Sequence, residues 1–202
     1  MSIVLIAALL SEHCREMLAP PPPPKPGWWS RLLGRKPAAP ATPPPDTDRL
    51  VDEWRARMAA DGRFGDAIHW RWSEQDADDE DASADLGWQM QDALHKWIAS
   101  NATGCPHLTT AELWLPPRFT AVTEEALPGG HRYVLGSLPS LLDELDALNH
   151  ATWRATDAQF DAWREEDLSK DDAEPLARAA FWEYRRMARL ALSRGWILVL
   201  SY

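Results

Sequence analysis

The clearest structural signal in the chain lies at residues 173–200, which are AEPLARAAFWEYRRMARLALSRGWILVL. Apolar side chains recur there at helical spacing, and Pro175 falls in the first turn, where a helix does not need its N–H. Gly195 predicts the end of the helix, and the unbroken apolar run Trp196–Leu200 predicts a buried strand. The sequence therefore predicts a long helix followed by a core strand, and the helix buries Ala177, Ala180, Phe181, Tyr184, Met187, Ala188 and Ala191.

A second apolar run, Met1–Leu10, is too short for most helices and predicts another buried strand. These two runs predict an α+β fold in a single domain over residues 1–202, with a small mixed sheet that includes both terminal strands and is packed by three to five helices. Periodicity and capping residues predict further helices at residues 11–18, 46–60, 86–98, 137–148 and 156–163. Short strands are predicted at residues 68–72, 111–115, 119–122 and 131–135.

The length and composition are compatible with that fold. A chain of 202 residues, 45% of them hydrophobic, buries about 70% of its unfolded surface and requires no disulfide or metal. Cys14 and Cys105 are the two cysteines, a number that suits a reducing compartment. The chain has 12 Trp but only 4 Phe and 3 Tyr, which indicates that Trp fills core positions; a Trp-lined ligand platform is the alternative.

Residues 20–46 are predicted to be a Pro-rich flexible insertion outside the core. Most of the 17 prolines lie there, and proline removes backbone donors and favours extended geometry. Trp28 and Trp29 lie inside this insertion beside basic residues and are candidate binding residues. We expect their segment to be a mobile loop, or to dock on the chain itself or on a partner. Contact with a membrane surface is the less favoured interpretation.

Residues 73–85 are predicted to be an acidic loop, since they contain carboxylates and no basic residue. Some of the carboxylates follow the spacing of the first EF-hand ligands. However, Asp81 stands where that turn needs glycine, and Gly87 stands where the bidentate glutamate belongs. We therefore expect a solvated loop rather than a calcium site, and its candidate residues for binding a basic partner are Asp78, Asp79, Glu80 and Asp81.

The net charge and hydropathy exclude several classes of protein. A net charge of −10 argues against nucleic-acid binding as the main activity. No apolar run approaches the roughly 20 residues that span a bilayer, and Met1–Leu10 lacks the preceding positive charges of a signal peptide. The sequence therefore predicts a cytoplasmic protein.

Several segments of the chain resemble the YfbM-like family of uncharacterised bacterial proteins. They are Leu94-His95-Lys96-Trp97-Ile98, Leu138–Leu148, Phe160-Asp161, and Phe181–Val199 with its Tyr184-Arg185-Arg186-Met187. The predicted order of elements is also similar: a terminal strand, a short helix, a helix containing Leu-His, a Leu-rich helix, a long Tyr-containing helix and a terminal strand. The resemblance implies an α+β fold. It implies no site residues, because that family has no established activity.

Motifs for catalytic chemistry are sparse. The glycines form no P-loop or dinucleotide fingerprint, and Gly136-Ser137 lacks the rest of a nucleophile elbow. Cys105-Pro106-His107 could present a thiolate beside an imidazole, or two metal ligands, although a loop rigidified by proline is the simpler interpretation. His95 lies beside the apolar stripe of its helix, where a buried, hydrogen-bonded histidine is the usual case. The sequence predicts no metal site and no cofactor.

Acidity and the sparse motifs favour a non-enzymatic protein-binding module, in a narrower form an immunity-type protein that neutralises a basic toxin. A negative field accelerates the capture of a basic partner and makes it sensitive to salt. The alternative is a small-ligand-binding protein or an enzyme of unknown chemistry. It would require one cleft that contains His69, His95, Cys105 and His107.

Overall fold

The computed structural model describes residues 3–8, 10–19, 46–62, 83–101, 104–163 and 172–201. These residues form an α+β domain, as predicted, and no described helix is long and apolar enough to cross a bilayer. The elements in chain order are β1 (Val4–Ala8), α1 (Leu10–Leu18), α2 (Thr47–Ala60), β2 (Ser83–Asp85), α3 (Gly87–Asn101), α4 (Pro106–Thr109), β3 (Leu113–Leu115), β4 (Thr123–Ala126), β5 (Arg132–Ser137), α5 (Leu138–Ala151), α6 (Asp157–Trp163), α7 (Ala173–Arg194) and β6 (Ile197–Ser201).

The strands form one mixed sheet in the order β2-β1-β6-β3-β5-β4. The two terminal strands are neighbours: β1 runs antiparallel to β6, with Leu5 opposite Leu200. β3 is antiparallel to β6 and parallel to β5. β4 is the edge strand on this side of the sheet and runs antiparallel to β5. The prediction that both terminal runs belong to one sheet is therefore confirmed.

Helices cover both faces of this sheet. Leu198 and Leu200 of β6 pack in a core with residues of α3, α5, α6 and α7, whereas Ile197 and Val199 face a second core with residues of α1 and α2. A strand that is covered on both faces has no solvent side for polar residues to occupy. This arrangement explains why β6 is an unbroken apolar run.

The N-terminal strand differs most from the expected buried strand at Ile6. Leu5 is fully buried, but Ile6 is 37% exposed although it stands opposite Val199 on the face of α1 and α2. Ile6 lines an open crevice at that position, and this explains its exposure. The prediction of a buried strand is therefore confirmed at Leu5 and wrong at Ile6.

Side-chain caps fix the helix ends where the sequence predicted them. The Asp46 carboxylate accepts a hydrogen bond from the N–H of Arg49, and the Ser137 hydroxyl accepts one from the N–H of Ser140. The capping box of α6 forms through Gln159, whose side-chain oxygen accepts from the N–H of Thr156 at 2.9 Å. α7 ends at Gly195 in the left-handed conformation, with φ of 68°.

The observed elements differ from the predicted ones mainly between residues 83 and 126. The strand predicted at residues 119–122 is wrong: Phe119 lies in a loop, buried against the His107 ring, and β4 begins at Thr123. The helix α4 was not predicted, because four residues carry no periodicity. Ser83–Asp85, at the end of the predicted acidic loop, pairs with β1 as an edge strand.

Some predictions fall outside the described residues. These are the strand at residues 68–72, almost all of the Pro-rich insertion at residues 20–46, and the acidic segment up to residue 82. The candidate site residues that lie there are Trp28, Trp29, His69, Asp78, Asp79, Glu80 and Asp81.

Candidate functional site

The segment that contains Cys105 and His107 is held by a partly buried network of hydrogen bonds. The Glu144 carboxylate accepts hydrogen bonds from the N–H of His107 at 3.1 Å and from the N–H of Leu108 at 2.8 Å. The indole N–H of Trp114 donates to the carbonyl oxygen of His107 at 2.6 Å. These contacts satisfy free N–H groups at the start of α4 and hold the loop against α5 and β3.

Both ring nitrogens of His107 are engaged by the backbone. Nδ1 accepts from the N–H of Ser137 at 3.0 Å, so the ring proton is on Nε2, which donates to the carbonyl oxygen of Thr120 at 3.1 Å. Burial lowers the pKa of His107, and the hydrogen bond to Thr120 opposes that change only in part. The imidazole is therefore neutral, and neither nitrogen is available as a base for a thiol.

Cys105 lies in an environment that disfavours a thiolate. It is buried, and burial raises the pKa of its thiol above the ordinary value, with the nearby Glu144 acting in the same direction. A nucleophilic cysteine needs a positive environment that lowers its pKa. Cys105 and His107 are therefore close in the chain but do not form an activated pair.

His95 lies on α3, one turn after Gln91. Burial lowers the pKa of His95, while Asp92 and a backbone hydrogen bond with Leu108 oppose that change. Its Nε2 and the side-chain oxygen of Gln91 are buried and have no hydrogen-bond partner among the described residues. The Leu108 contact brings His95 next to α4. However, none of the residues His95, Cys105 and His107 lines the crevice at the end of the sheet where β3 begins.

A crevice of about 410 Å³ opens at the end of the sheet where β3 begins. β3 has only three residues, and its Leu113 stands opposite Val199 and Leu135, so β6 and β5 both extend beyond it. Glu112, which precedes β3, lies in this gap, and α1 lies beside it. The crevice is lined by Ile6, His13, Glu16, Glu112, His131, Arg132, Tyr133, Val199, Leu200 and Ser201.

A histidine–tyrosine pair lies in this crevice. His13 Nε2 is 3.2 Å from the Tyr133 hydroxyl, and that hydroxyl is 3.5 Å from the Met17 sulfur. Burial lowers the pKa of His13, with Glu16 opposing and His131 adding to the change. Burial also raises the pKa of Tyr133, and Cys14 and Glu112 contribute to it. Both groups are therefore neutral near pH 7 and present hydrogen-bonding atoms rather than charge.

The charged side chains of the crevice that have no ion-pair partner among the described residues are carboxylates. One Glu112 oxygen accepts from the N–H of Val134 at 3.2 Å, and the Glu16 side chain is exposed. Neither carboxylate has an ion-pair partner among the described residues, whereas Arg132 is paired with Glu124. The described residues also contain no group of three or more His, Cys, Asp or Glu side chains arranged to hold a metal ion. The crevice can therefore offer two carboxylates, a neutral polar pair and an apolar wall.

The sequence did not identify this site, because its residues come from separate segments. His13 and Glu16 are three residues apart and share one face of α1, while His131 and Tyr133 are two residues apart. Those spacings are visible in the sequence. The pairing of β6, β3 and β5, which brings the segments together, is not.

Comparisons of the chain with protein-family models, with curated proteins and with solved structures find no match. The resemblance to the YfbM-like family stays a prediction from the sequence.

Proposed function

We propose that the protein is a non-enzymatic binding module that captures a basic protein partner, and that an arginine or lysine side chain of this partner enters the crevice. The observation that carries the proposal is that the carboxylates of Glu16 and Glu112, which have no ion-pair partner among the described residues, lie in a crevice that also has an apolar wall. A basic side chain combines a charged end with an apolar stem, and the crevice offers a surface for each.

The energetics of binding favour a charged side chain over an apolar one in the crevice. A hydrogen bond to a charged group contributes about 1.5–3 kcal/mol, and burial of the stem adds about 25 cal/mol per Å² of apolar surface. The net charge of −10 adds a long-range attraction that raises the association rate of a basic partner. Capture should therefore weaken as salt increases.

The narrower form of the proposal is an immunity-type protein that neutralises a basic toxin. Stable protein complexes bury about 1,200–2,000 Å² in total, so the crevice would provide an anchor within a larger interface. Both described cysteines are free, which suits the reducing cytoplasm as the compartment of this binding event.

A second candidate function is the binding of a small polar ligand in the same crevice. The half-buried His13–Tyr133 pair favours it, because two neutral hydrogen-bonding groups in a concave site fix the orientation of a small molecule. The volume also falls in the range of roughly 300–1,000 Å³ that is usual for ligand sites.

Affinity capture with matched variants tests the first proposal. The immobilised proteins are the wild type, the crevice variant Glu16→Gln/Glu112→Gln and the control Asp52→Asn/Glu53→Gln, whose carboxylates lie exposed on α2. Both variants remove two negative charges. We expect a basic protein that the wild type and the control retain at low salt, and that the crevice variant loses. Equal capture by all three proteins, or no salt-sensitive basic partner, would contradict the proposal.

Tyr133→Phe separates the two candidate functions. This change removes the hydroxyl and leaves both carboxylates in place, so capture of a basic partner should persist. A small polar ligand oriented by the His13–Tyr133 pair should instead bind more weakly, by roughly tenfold for the loss of one hydrogen bond of about 1.4 kcal/mol. The measurement is titration calorimetry, in which the basic partner or the small polar ligand is titrated into the wild type and into Tyr133→Phe, and the two dissociation constants are compared.

A further inference from the structure

A second groove lies between α6 and α7. Trp182, Arg185, Arg186 and Arg189 follow the spacing i, i+3, i+4, i+7, which places them on one face of α7. α6 contributes Asp157, Phe160 and Asp161 to the same groove, whose volume is about 330 Å³. The groove is therefore lined by charges of both signs around aromatic rings.

Two of its three guanidinium groups are already engaged. Arg185 donates to Asp146 at 2.7 Å, approaches Asp157 at 3.6 Å and lies over the Phe160 ring, 4.6 Å from the centroid. Arg186 donates to Glu183 at 2.9 Å. The contacts of Arg185 hold α7 against α5 and α6. The Arg186–Glu183 pair lies within α7, and the Arg186 guanidinium also lies over the Trp182 ring, 5.3 Å from its centroid.

The remaining charges of the groove have opposite signs. Arg189 and Asp161 both line the groove, and neither has a hydrogen bond or ion pair within the described part of the chain. A simple anion at Arg189 would meet the carboxylates of Asp157 and Asp161, and a simple cation at Asp161 would meet the guanidinium groups of α7. A molecule that carries both charges avoids both repulsions.

We propose that this groove binds a small zwitterion of the α-amino-acid class. The ligand carboxylate accepts hydrogen bonds from the Arg189 guanidinium, the ammonium donates to the Asp161 carboxylate, and an aromatic side chain packs against Trp182. The volume is sufficient for one such molecule. This proposal concerns a different face of the domain and does not depend on the proposed function of the crevice.

Ligand-observed saturation-transfer NMR with L-phenylalanine tests the proposal. We expect transfer from the wild-type protein to L-phenylalanine, and at least about tenfold weaker binding of N-acetyl-phenylalanine and of phenylalanine amide, which each lack one of the two charges. Equal binding of the three molecules, or no binding of L-phenylalanine, would overturn the proposal.

Variants locate the binding site. Arg189→Gln and Asp161→Asn should each weaken the binding of L-phenylalanine by roughly tenfold, whereas Arg57→Gln, an exposed arginine on α2, should leave it unchanged. All substituted side chains are exposed, and thermal unfolding of each variant verifies that it folds. Loss of binding in the crevice variant Glu16→Gln/Glu112→Gln but not in Arg189→Gln would place the ligand elsewhere and refute the proposal.

Discussion

At the scale of single residues, the sequence marked His107 as a candidate catalytic group, but its contacts are those of a structural residue. The ring connects the start of α5 to the loop before β4, through Ser137 and Thr120. A catalytic histidine needs a free nitrogen that faces a substrate, and in His107 both nitrogens are bound to the backbone. Spacing in the chain cannot distinguish these two cases, because it does not show where each nitrogen points.

Replacement of His107 by Leu should destabilise the fold. The change leaves the buried N–H of Ser137 without its acceptor, which costs about 1–3 kcal/mol, and it removes the hydrogen bond to the carbonyl of the exposed Thr120, which contributes about 0.5–1.5 kcal/mol. We expect the free energy of unfolding in urea to fall by about 2–4 kcal/mol. The control is His131→Leu at an exposed position. This substitution should change the free energy of unfolding by less than about 0.5 kcal/mol. Equal stability of both variants would contradict the structural role of His107.

Gly136 is a second residue with a specific steric role. A Cβ at this position would lie 2.6 Å from Trp114 Cδ1 and 2.7 Å from the Cβ of Ala111. The Trp114 ring cannot move away freely, because its N–H is bound to the carbonyl of His107. Gly136→Ala should therefore lower the free energy of unfolding by about 1–3 kcal/mol. Unchanged stability in urea denaturation would show that the core around Trp114 is looser than described.

At the scale of elements, the longer helices were predictable, and β3 lies within the strand predicted at residues 111–115, whereas α4 and β4 were not predicted. α2, α3, α5 and α7 repeat their apolar residues over several turns. The side-chain caps Asp46 of α2 and Ser137 of α5, and the left-handed Gly195 at the end of α7, lie where the sequence predicted them. The ends of β3 and the position of β4 were not predictable, because three and four residues are too few to define an alternating pattern. The crevice exists because β3 is shorter than its neighbours β5 and β6. Local sequence patterns do not show this difference in length, so they could not predict the crevice.

The buried face of α5 provides a prediction at this scale. Leu145 is fully buried in the core, whereas Leu142, on the same helix, is only partly buried. Leu145→Ala should reduce the free energy of unfolding by about 2–5 kcal/mol, because it leaves a cavity. Leu142→Ala, measured in the same urea titration, should reduce it less. The reverse order would mean that α5 presents a different face to the sheet.

At the scale of the whole molecule, several half-buried or buried histidines make stability depend on pH. Burial lowers the pKa of His13, His95 and His107 below the ordinary value of 6.5. As the pH falls through 6.5, the unfolded chain takes up protons before the folded protein does, so protonation favours unfolding. The stability contributed by the neutral imidazoles is present above 6.5 and is lost as the pH falls through the folded-state pKa values.

Urea denaturation at a series of pH values tests this prediction. The free energy of unfolding should decrease between about pH 7.5 and 5.5. Glu144, whose pKa is raised by burial above 4.5, acts in the opposite direction at lower pH, so the comparison stays above that region. The slope should be smaller in His107→Leu, which removes one of the three groups. A flat profile in the wild-type protein would contradict the burial of these histidines.

At this scale too, we propose that the domain recognises a basic side chain at the end of the sheet, between α1, β5 and β6. The most direct test is an NMR titration of ¹⁵N-labelled protein with Nα-acetyl-L-argininamide. We predict shifts concentrated at Ile6, Glu112, Tyr133 and Ser201, and their loss in Glu16→Gln/Glu112→Gln but not in Asp52→Asn/Glu53→Gln. Shifts distributed over the acidic surface, or shifts that survive in the crevice variant, would contradict this account.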